Sequence, residues 1–230
     1  MILAINTSTL QFSLALLSES GGILAEHLMS EVKGHFGRLM PILDFLLTAS
    51  GKDIGHTTCI SVATGPGSFT GLRIGISLAK GLCHALQVPI VGIPSLEAMA
   101  LQAPHSHLPV IPLLHSRKHE AFAARFIWGD ANYLKRIDED TWVKFDDIPE
   151  RFSGPSLFIG NDYPGQATQL RRLMGEQAVL APPHTWCLRA SAVGSLALER
   201  YLRGETDDPH VINPAYLRPP DIRPNPLSGP

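Results

Sequence analysis

The fold is decided by the stretch Thr64-Gly65-Pro66-Gly67-Ser68-Phe69-Thr70-Gly71-Leu72-Arg73-Ile74-Gly75. An apolar run at residues 59–63 precedes it and predicts a buried strand, and a helical pattern follows it to about residue 86. A glycine-rich loop between a strand and a helix is where nucleotide-binding folds hold phosphate. This loop, however, lacks the lysine of a P-loop, and its spacing is not G-x-G-x-x-G. It either binds phosphate or forms a surface for another protein.

Two halves of the chain begin with a similar pattern of strands. Residues 2–5, 12–17 and 23–28 predict a β-meander, and residues 36–47 predict a helix ending near Gly51. After the glycine loop come a strand between two prolines and a helix that Ser95 would cap. The strand–turn–strand pattern recurs at residues 110–128, followed by a strand at 157–160 and a helix at 189–201. We expect an α/β fold of two lobes, residues 1–104 and 105–206, with a proline-rich tail at 207–230.

Composition limits the kinds of function that are possible. The 230 residues are 44% hydrophobic, with 19 basic and 21 acidic side chains and a net charge of −2, so no basic stripe indicates nucleic-acid binding by this chain alone. The three cysteines are scattered, which predicts reduced thiols in a core. There is neither a signal-peptide pattern nor an apolar run of about 18–20 residues, so we expect a cytoplasmic protein without a membrane partner.

A stripe of small residues follows the glycine loop along its helix. Gly71, Gly75 and Ala79 recur every four residues, with Cys83 next. Glycine within a helix costs about 0.5–1 kcal/mol relative to alanine, so two of them indicate close approach of another backbone. The approaching element is either a helix of the same chain or a second subunit, and phosphate binding by the loop is a third interpretation.

These residues resemble one family. The loop from Gly65 to Gly75 is similar to the signature of the TsaB (YeaZ) family, which is needed to make threonylcarbamoyladenosine in tRNA. The similarity extends to the first nine residues, to Lys33-Gly34-His35 and to Ser95-Leu96-Glu97-Ala98-Met99-Ala100. It also includes Pro214-Ala215-Tyr216-Leu217-Arg218 near the end of the chain. It is strong over the first hundred residues and weak over the second lobe.

Membership would imply the two-lobed fold of actin, sugar kinases and Hsp70, and a non-catalytic role. The related catalytic subunit, TsaD, has two metal-binding histidines in an H-x-E-x-H arrangement. Aligned on Glu97, this chain has Ser95 and Met99 at those positions, and neither supplies an imidazole nitrogen. Asn6 replaces a common aspartate, and His115-Ser116-Arg117 replaces an Asp-Ala-Arg-like segment. The resemblance therefore predicts no catalytic residue, no metal and no cofactor.

The expected function is that of an accessory subunit for N6-threonylcarbamoyl modification of tRNA at adenosine 37. The subunit would dimerise with a TsaD-like catalytic protein and activate it, and a TsaE-like ATPase would engage the pair. Alone, the chain would form a homodimer through the same surface, and tRNA would be met only through the complex. The predicted interface residues lie on two helices: Phe36, Leu39, Met40, Leu43, Gly71, Leu72, Gly75, Ala79 and Leu82.

Two other functions remain open. A stand-alone phosphotransferase of the actin and sugar-kinase class would use Thr7, Ser8 and Thr9 as its phosphate turn. The other alternative is a homodimeric scaffold unrelated to tRNA. A zinc protease of the H-E-x-x-H type is excluded, because Ala123 stands where the second histidine should be. The sequence contains no G-x-S-x-G elbow, so it does not indicate a serine hydrolase.

Overall fold

A computed structural model describes residues 1–30, 35–130 and 133–218. The chain's first sheet contains, among these residues, five strands in the order β3-β2-β1-β4-β5. Their bounds are β1 Ile2–Asn6, β2 Phe12–Leu17, β3 Ile23–Met29, β4 Cys59–Gly65 and β5 Ile90–Pro94. Strands β1 to β3 are antiparallel, whereas β1, β4 and β5 are parallel. The predicted meander is confirmed, and so is the buried strand before the glycine loop.

Helices cover both faces of this sheet. Helix α1 (Leu39–Ser50) and helix α2 (Phe69–Leu86) share one apolar core with the strands. Helix α1 is followed by Gly51 in a left-handed conformation, as the sequence predicted. Helix α3 (Ser95–Leu101) belongs to a second core that continues into the other lobe. The first sheet is therefore buried on both sides.

The second lobe is built on a larger mixed sheet. Its path is β10-β7-β6-β11-β12, with β8 pairing with β6 and β9 pairing with β8. The strand bounds are β6 Val110–His115, β7 Glu120–Ala123, β8 Phe126–Trp128, β9 Leu134–Arg136, β10 Thr141–Lys144, β11 Ser156–Gly160 and β12 Ala178–Leu180. Helices α4 (Ile148–Arg151) and α5 (Thr168–Met174) follow β10 and β11. The single strand expected at 121–128 is two strands, separated at Ala124 and Arg125.

The end of the chain returns to the first lobe. Helix α6 (Ala190–Leu202), which the sequence placed in the second lobe, packs on strands β1, β2, β4 and β5 of the first sheet. Glu26 on β3 fixes its beginning, because the Glu26 carboxylate accepts hydrogen bonds from the Ser191 amide at 2.9 Å and from Arg189. Residues 207–216 of the expected tail run along the same lobe, Arg218 reaches the second lobe, and residues 219–230 lie outside the described part.

The start of helix α3 differs from the sequence expectation. Ser95 does not cap helix α3, because Pro94 occupies the N-cap position and the Ser95 hydroxyl instead accepts a hydrogen bond from the Gly65 amide at 3.1 Å. Lys33 and Gly34 of the family-like motif lie outside the described residues. No helix in the described ranges is long and apolar enough to cross a bilayer.

Candidate functional site: the cleft and the outer helix face

The glycine loop packs directly against the first turn of the chain. Ser68 caps helix α2, since its hydroxyl accepts a hydrogen bond from the Gly71 amide at 3.2 Å. Its own amide donates to the Ser8 carbonyl at 2.7 Å. A side chain at Gly67 would collide with that same carbonyl, so glycine is required there by the close approach of the two backbones. The loop thus joins α2 to the turn that follows β1.

The polar groups of the first turn bind to each other and to the protein. Asn6 accepts hydrogen bonds from the Ser8 amide and hydroxyl at 3.0 and 2.7 Å, and its own amide group donates to the Leu188 carbonyl at 2.7 Å. The Thr7 hydroxyl donates to the Gly71 carbonyl at 2.7 Å, and the Thr9 hydroxyl donates to a nearby carbonyl in its own turn. All four side chains are buried. Their polar groups therefore have structural roles.

A cleft of about 440 Å³ opens between the two lobes beside this turn. Ser8 and Thr9 line it from the first lobe, but Thr7 does not. The second lobe contributes the turn His115-Ser116-Arg117. The two turns that a phosphotransferase would use do meet here. The Thr7 hydroxyl is buried and bound to helix α2, so it does not face the cleft.

The stripe of Gly71, Gly75 and Ala79 faces the protein's own sheet. All three are buried, as are Leu72, Leu39 and Leu43 of the predicted interface. A β-carbon at Gly75 would overlap the Thr7 hydroxyl, so the close approach comes from strand β1's turn in the same chain. The interpretation of this stripe as a surface exposed to a second subunit is wrong, because it packs inside the monomer.

The other predicted interface residues lie on or near the outside of the helices. Met40 is 52% exposed, and Leu82 is half-buried beside the core of the first lobe. Phe36 lies in the 3-10 helix His35–Arg38, and its side chain is outside the described part of the structure. Of the predicted set, Met40 therefore lies on the solvent side of α1, and Leu82 lies at the margin of the core.

A second stripe of small residues lies on this solvent side, and sequence reasoning missed it. Ser77, Gly81 and Ala85 recur every four residues on α2, and all three are exposed. Nothing lies within 4 Å of the position of a β-carbon at Gly81. Phe45 is 62% exposed on α1, which shares a core with α2. A helical projection of residues 69–86 could have separated the two stripes, because Ser77, Gly81 and Ala85 lie opposite the apolar stripe.

Ser95 and Met99, which the sequence comparison aligned with two metal-binding histidines, belong to the core of this chain. Met99 is fully buried, and the Ser95 hydroxyl is bound to the Gly65 amide. Glu97 lies 3.6 Å from Arg136 in an ion pair. Among the described residues, no cluster of three His, Cys, Asp or Glu side chains could hold a metal ion.

The cysteines are free thiols, as the sequence predicted. Cys59 and Cys83 are buried and Cys187 is half-buried. Burial raises the pKa of Cys59 to about 12 and that of Cys83 to about 11. Both thiols therefore remain protonated near neutral pH, which suits a structural role in the core.

Comparison with known proteins supports these observations. The family model of TsaD, tRNA N6-adenosine threonylcarbamoyltransferase, matches residues 10–202. The tRNA threonylcarbamoyladenosine biosynthesis protein TsaB of Bacillus subtilis is 30% identical over 220 residues, covering 94% of this chain and 93% of the relative. The solved structure of YeaZ from Pseudomonas aeruginosa superposes with a TM-score of 0.74 at 26% identity, covering 94% of this chain and 99% of that one.

A more distant structure shares the fold alone. The activator of 2-hydroxyisocaproyl-CoA dehydratase from Clostridium difficile has a TM-score of 0.53 at 9% identity, covering 88% of this chain and 97% of the activator. The chain is thus a two-lobed α/β protein of the actin and sugar-kinase class, which confirms the predicted fold. Its sequence similarity to TsaB proteins identifies a family more specifically than its fold, which distant proteins share. The chain belongs to the TsaB (YeaZ) family.

Proposed function

We propose that this chain is a non-catalytic accessory subunit in the synthesis of threonylcarbamoyladenosine in tRNA, and that it binds and activates a TsaD-type catalytic subunit. The relatives named as TsaB biosynthesis proteins support the pathway. The match to the TsaD family model supports a partner of similar architecture, because two related folds can pair through equivalent helices. A TsaE-like ATPase engages the pair, and tRNA is met only through the complex.

The observation that carries the proposal is Gly81. It lies within an 18-residue helix, faces solvent and has no neighbour from its own chain that a side chain would disturb. Because glycine there destabilises the helix by about 0.5–1 kcal/mol relative to alanine, it needs a reason outside the monomer. A partner helix packed closely against Ser77, Gly81 and Ala85 supplies that reason.

Exposed apolar side chains beside the stripe support the same surface. Met40 and Phe45 of α1 are more than half exposed, and Ile74 and Leu78 of α2 are half-buried. We define this outer helix face as Met40, Phe45, Ile74, Leu78 and the stripe Ser77, Gly81 and Ala85. Burying such a surface against a partner is favourable, at about 25 cal/mol per Å² of apolar area. In the absence of TsaD the same face forms the homodimer.

The phosphotransferase alternative is less well supported by the geometry of the first turn. A phosphate turn presents free hydroxyls and amides to its ligand. Here the Thr7 and Thr9 hydroxyls donate to carbonyls, and Ser8 is held by Asn6. An amide side chain at Asn6 also lacks the charge that favours binding of a metal–phosphate complex.

The test is co-purification of the full chain with a TsaD-type protein from the same organism. Gly81→Leu places a large side chain on the outer helix face, where the monomer has open space. We expect it to keep a thermal unfolding midpoint at or above the parent's and to lose the complex. Ser20→Leu, at an exposed turn between β2 and β3, is the matched control and should retain binding.

Three results would contradict the proposal. Retention of the complex by Gly81→Leu would place the interface elsewhere. A rate of tRNA threonylcarbamoylation by TsaD that is the same with and without this chain would contradict the accessory role. Micromolar ATP binding with turnover by the isolated chain would favour the phosphotransferase instead.

A further inference from the structure

The last described residues form a segment that runs from the edge of the first sheet to the second lobe. Asp207 begins it, because its amide donates to the Ile90 carbonyl at 2.9 Å and its carboxylate accepts from the Gly92 amide at 2.7 Å. Ile212 is buried in the core of the first lobe. The Ala215 amide then donates to the Thr64 carbonyl at 2.8 Å, directly before the glycine loop.

Beyond Ala215 the segment reaches the mouth of the cleft and is held on the first lobe by Tyr216. The Tyr216 ring lies 4.9 Å from the Phe69 ring, measured between centroids. Its hydroxyl accepts a hydrogen bond from Arg73 at 2.9 Å, and the Arg73 guanidinium lies 3.8 Å from the Phe69 ring centroid. All three side chains belong to the first lobe's α2 surface and the segment packed on it.

Two residues later the segment is held on the second lobe by Arg218. The Arg218 guanidinium forms an ion pair with Glu120 at the start of β7 and lies 5.2 Å from the ring of Trp142 on β10. The Trp142 indole also donates to the Glu120 carboxylate at 3.1 Å. The Glu120 side chain is 16% exposed and that of Arg218 is 29% exposed, so solvent screens this pair less than a surface pair. Such a network contributes more than an isolated surface ion pair.

We propose that Tyr216-Leu217-Arg218 is a latch that holds the two lobes closed across the cleft. Its two anchors lie on opposite sides of the cleft and only two residues apart, and all three residues line it. Separation of the lobes at this mouth therefore requires one anchor to release. The opening of the cleft is set by the chain's own C-terminal segment, and this inference does not depend on the identity of the partner.

The test measures the width of the cleft mouth by electron paramagnetic resonance. Spin labels replace Leu10 on the first lobe and Lys118 on the second, which are exposed residues flanking the cleft, with Cys187 changed to serine. Labelled protein is diluted into unlabelled protein so that only distances within one chain contribute. We expect Arg218→Gln to shift the distance distribution to longer values than in the parent.

The anchor on the second lobe is tested by exchanging the charges of Glu120 and Arg218. Glu120→Arg combined with Arg218→Glu should restore the shorter distances that either single change loses. Arg203→Ala removes an exposed ion pair with Glu205 outside the latch and is the matched control, with the parent's distances expected.

Amide exchange gives an independent readout. We expect the Ala215 amide to exchange about tenfold faster in Arg218→Gln, the change that corresponds to losing one charge-assisted hydrogen bond. Tyr216→Ala cuts the other anchor and should produce the same shift in distances. Distances and Ala215 exchange that match the parent in both Arg218→Gln and Tyr216→Ala would overturn the latch.

Discussion

Gly75→Ala tests whether the stripe of Gly71, Gly75 and Ala79 is internal. The new β-carbon would overlap the Thr7 hydroxyl, which is fully buried and donates to the Gly71 carbonyl at 2.7 Å. Overpacking of this kind destabilises by about 1–3 kcal/mol. Losing the hydrogen bond in a buried site adds about 1–3 kcal/mol, and the better helix propensity of alanine returns about 1 kcal/mol.

The net expectation is a loss of about 3 kcal/mol in the free energy of unfolding, measured by urea denaturation. For a chain of this size that loss lowers the thermal midpoint by about 6–12 °C. Gly81→Ala is the matched control, because its β-carbon meets open space and it should gain about 0.5–1 kcal/mol. Thr7→Ala should reduce the penalty of Gly75→Ala in a double-mutant cycle. Equal stabilities for the two alanine variants would refute the internal packing of Gly75.

Three other changes probe different parts of the molecule. Burial raises the pKa of Cys59 to about 12, so above pH 9 only the unfolded chain loses this proton. The free energy of unfolding should therefore fall by up to about 1.4 kcal/mol per pH unit. Cys59→Ala should lack this component in urea titrations at several pH values. Asp207→Ala should lose about 1–2 kcal/mol in urea denaturation, because the Gly92 amide and Arg200 lose their acceptor; an unchanged midpoint would contradict this. Phe45→Ser should change the free energy of unfolding by no more than about 0.5 kcal/mol but weaken self-association in sedimentation. A homodimer as tight as the parent's would show that Phe45 is not part of the homodimer interface.

Local patterns in the sequence predicted most of the first lobe. The alternation of apolar and turn residues before residue 30 predicted the meander, and Gly51 marked the end of helix α1. These features depend on neighbours in sequence. The recurring strand–turn–strand pattern indicated two lobes, and the family motif of eleven residues then linked them to the fold of actin, sugar kinases and Hsp70.

The candidate site was harder to predict because it depends on which face of a helix is buried. Glycines at positions 75 and 81 have the same propensity, and the contact with Thr7 shows that Gly75 is the internal one. The predicted phosphate turn also depends on tertiary contacts that the sequence does not show. The hydroxyls of Thr7 and Thr9 look available in the sequence, but their acceptors are carbonyls of the folded chain.

The return of the chain to its first lobe has a consequence for synthesis on the ribosome. Helix α6 covers one face of the first sheet, and Ile212 completes the core on the other. Strands β1 to β5, the last of which ends at Pro94, are thus made well before helix α6, which begins at Ala190. The emerging lobe exposes apolar surface until helix α6 and Ile212 have been made, so its early strands need protection from aggregation during that interval.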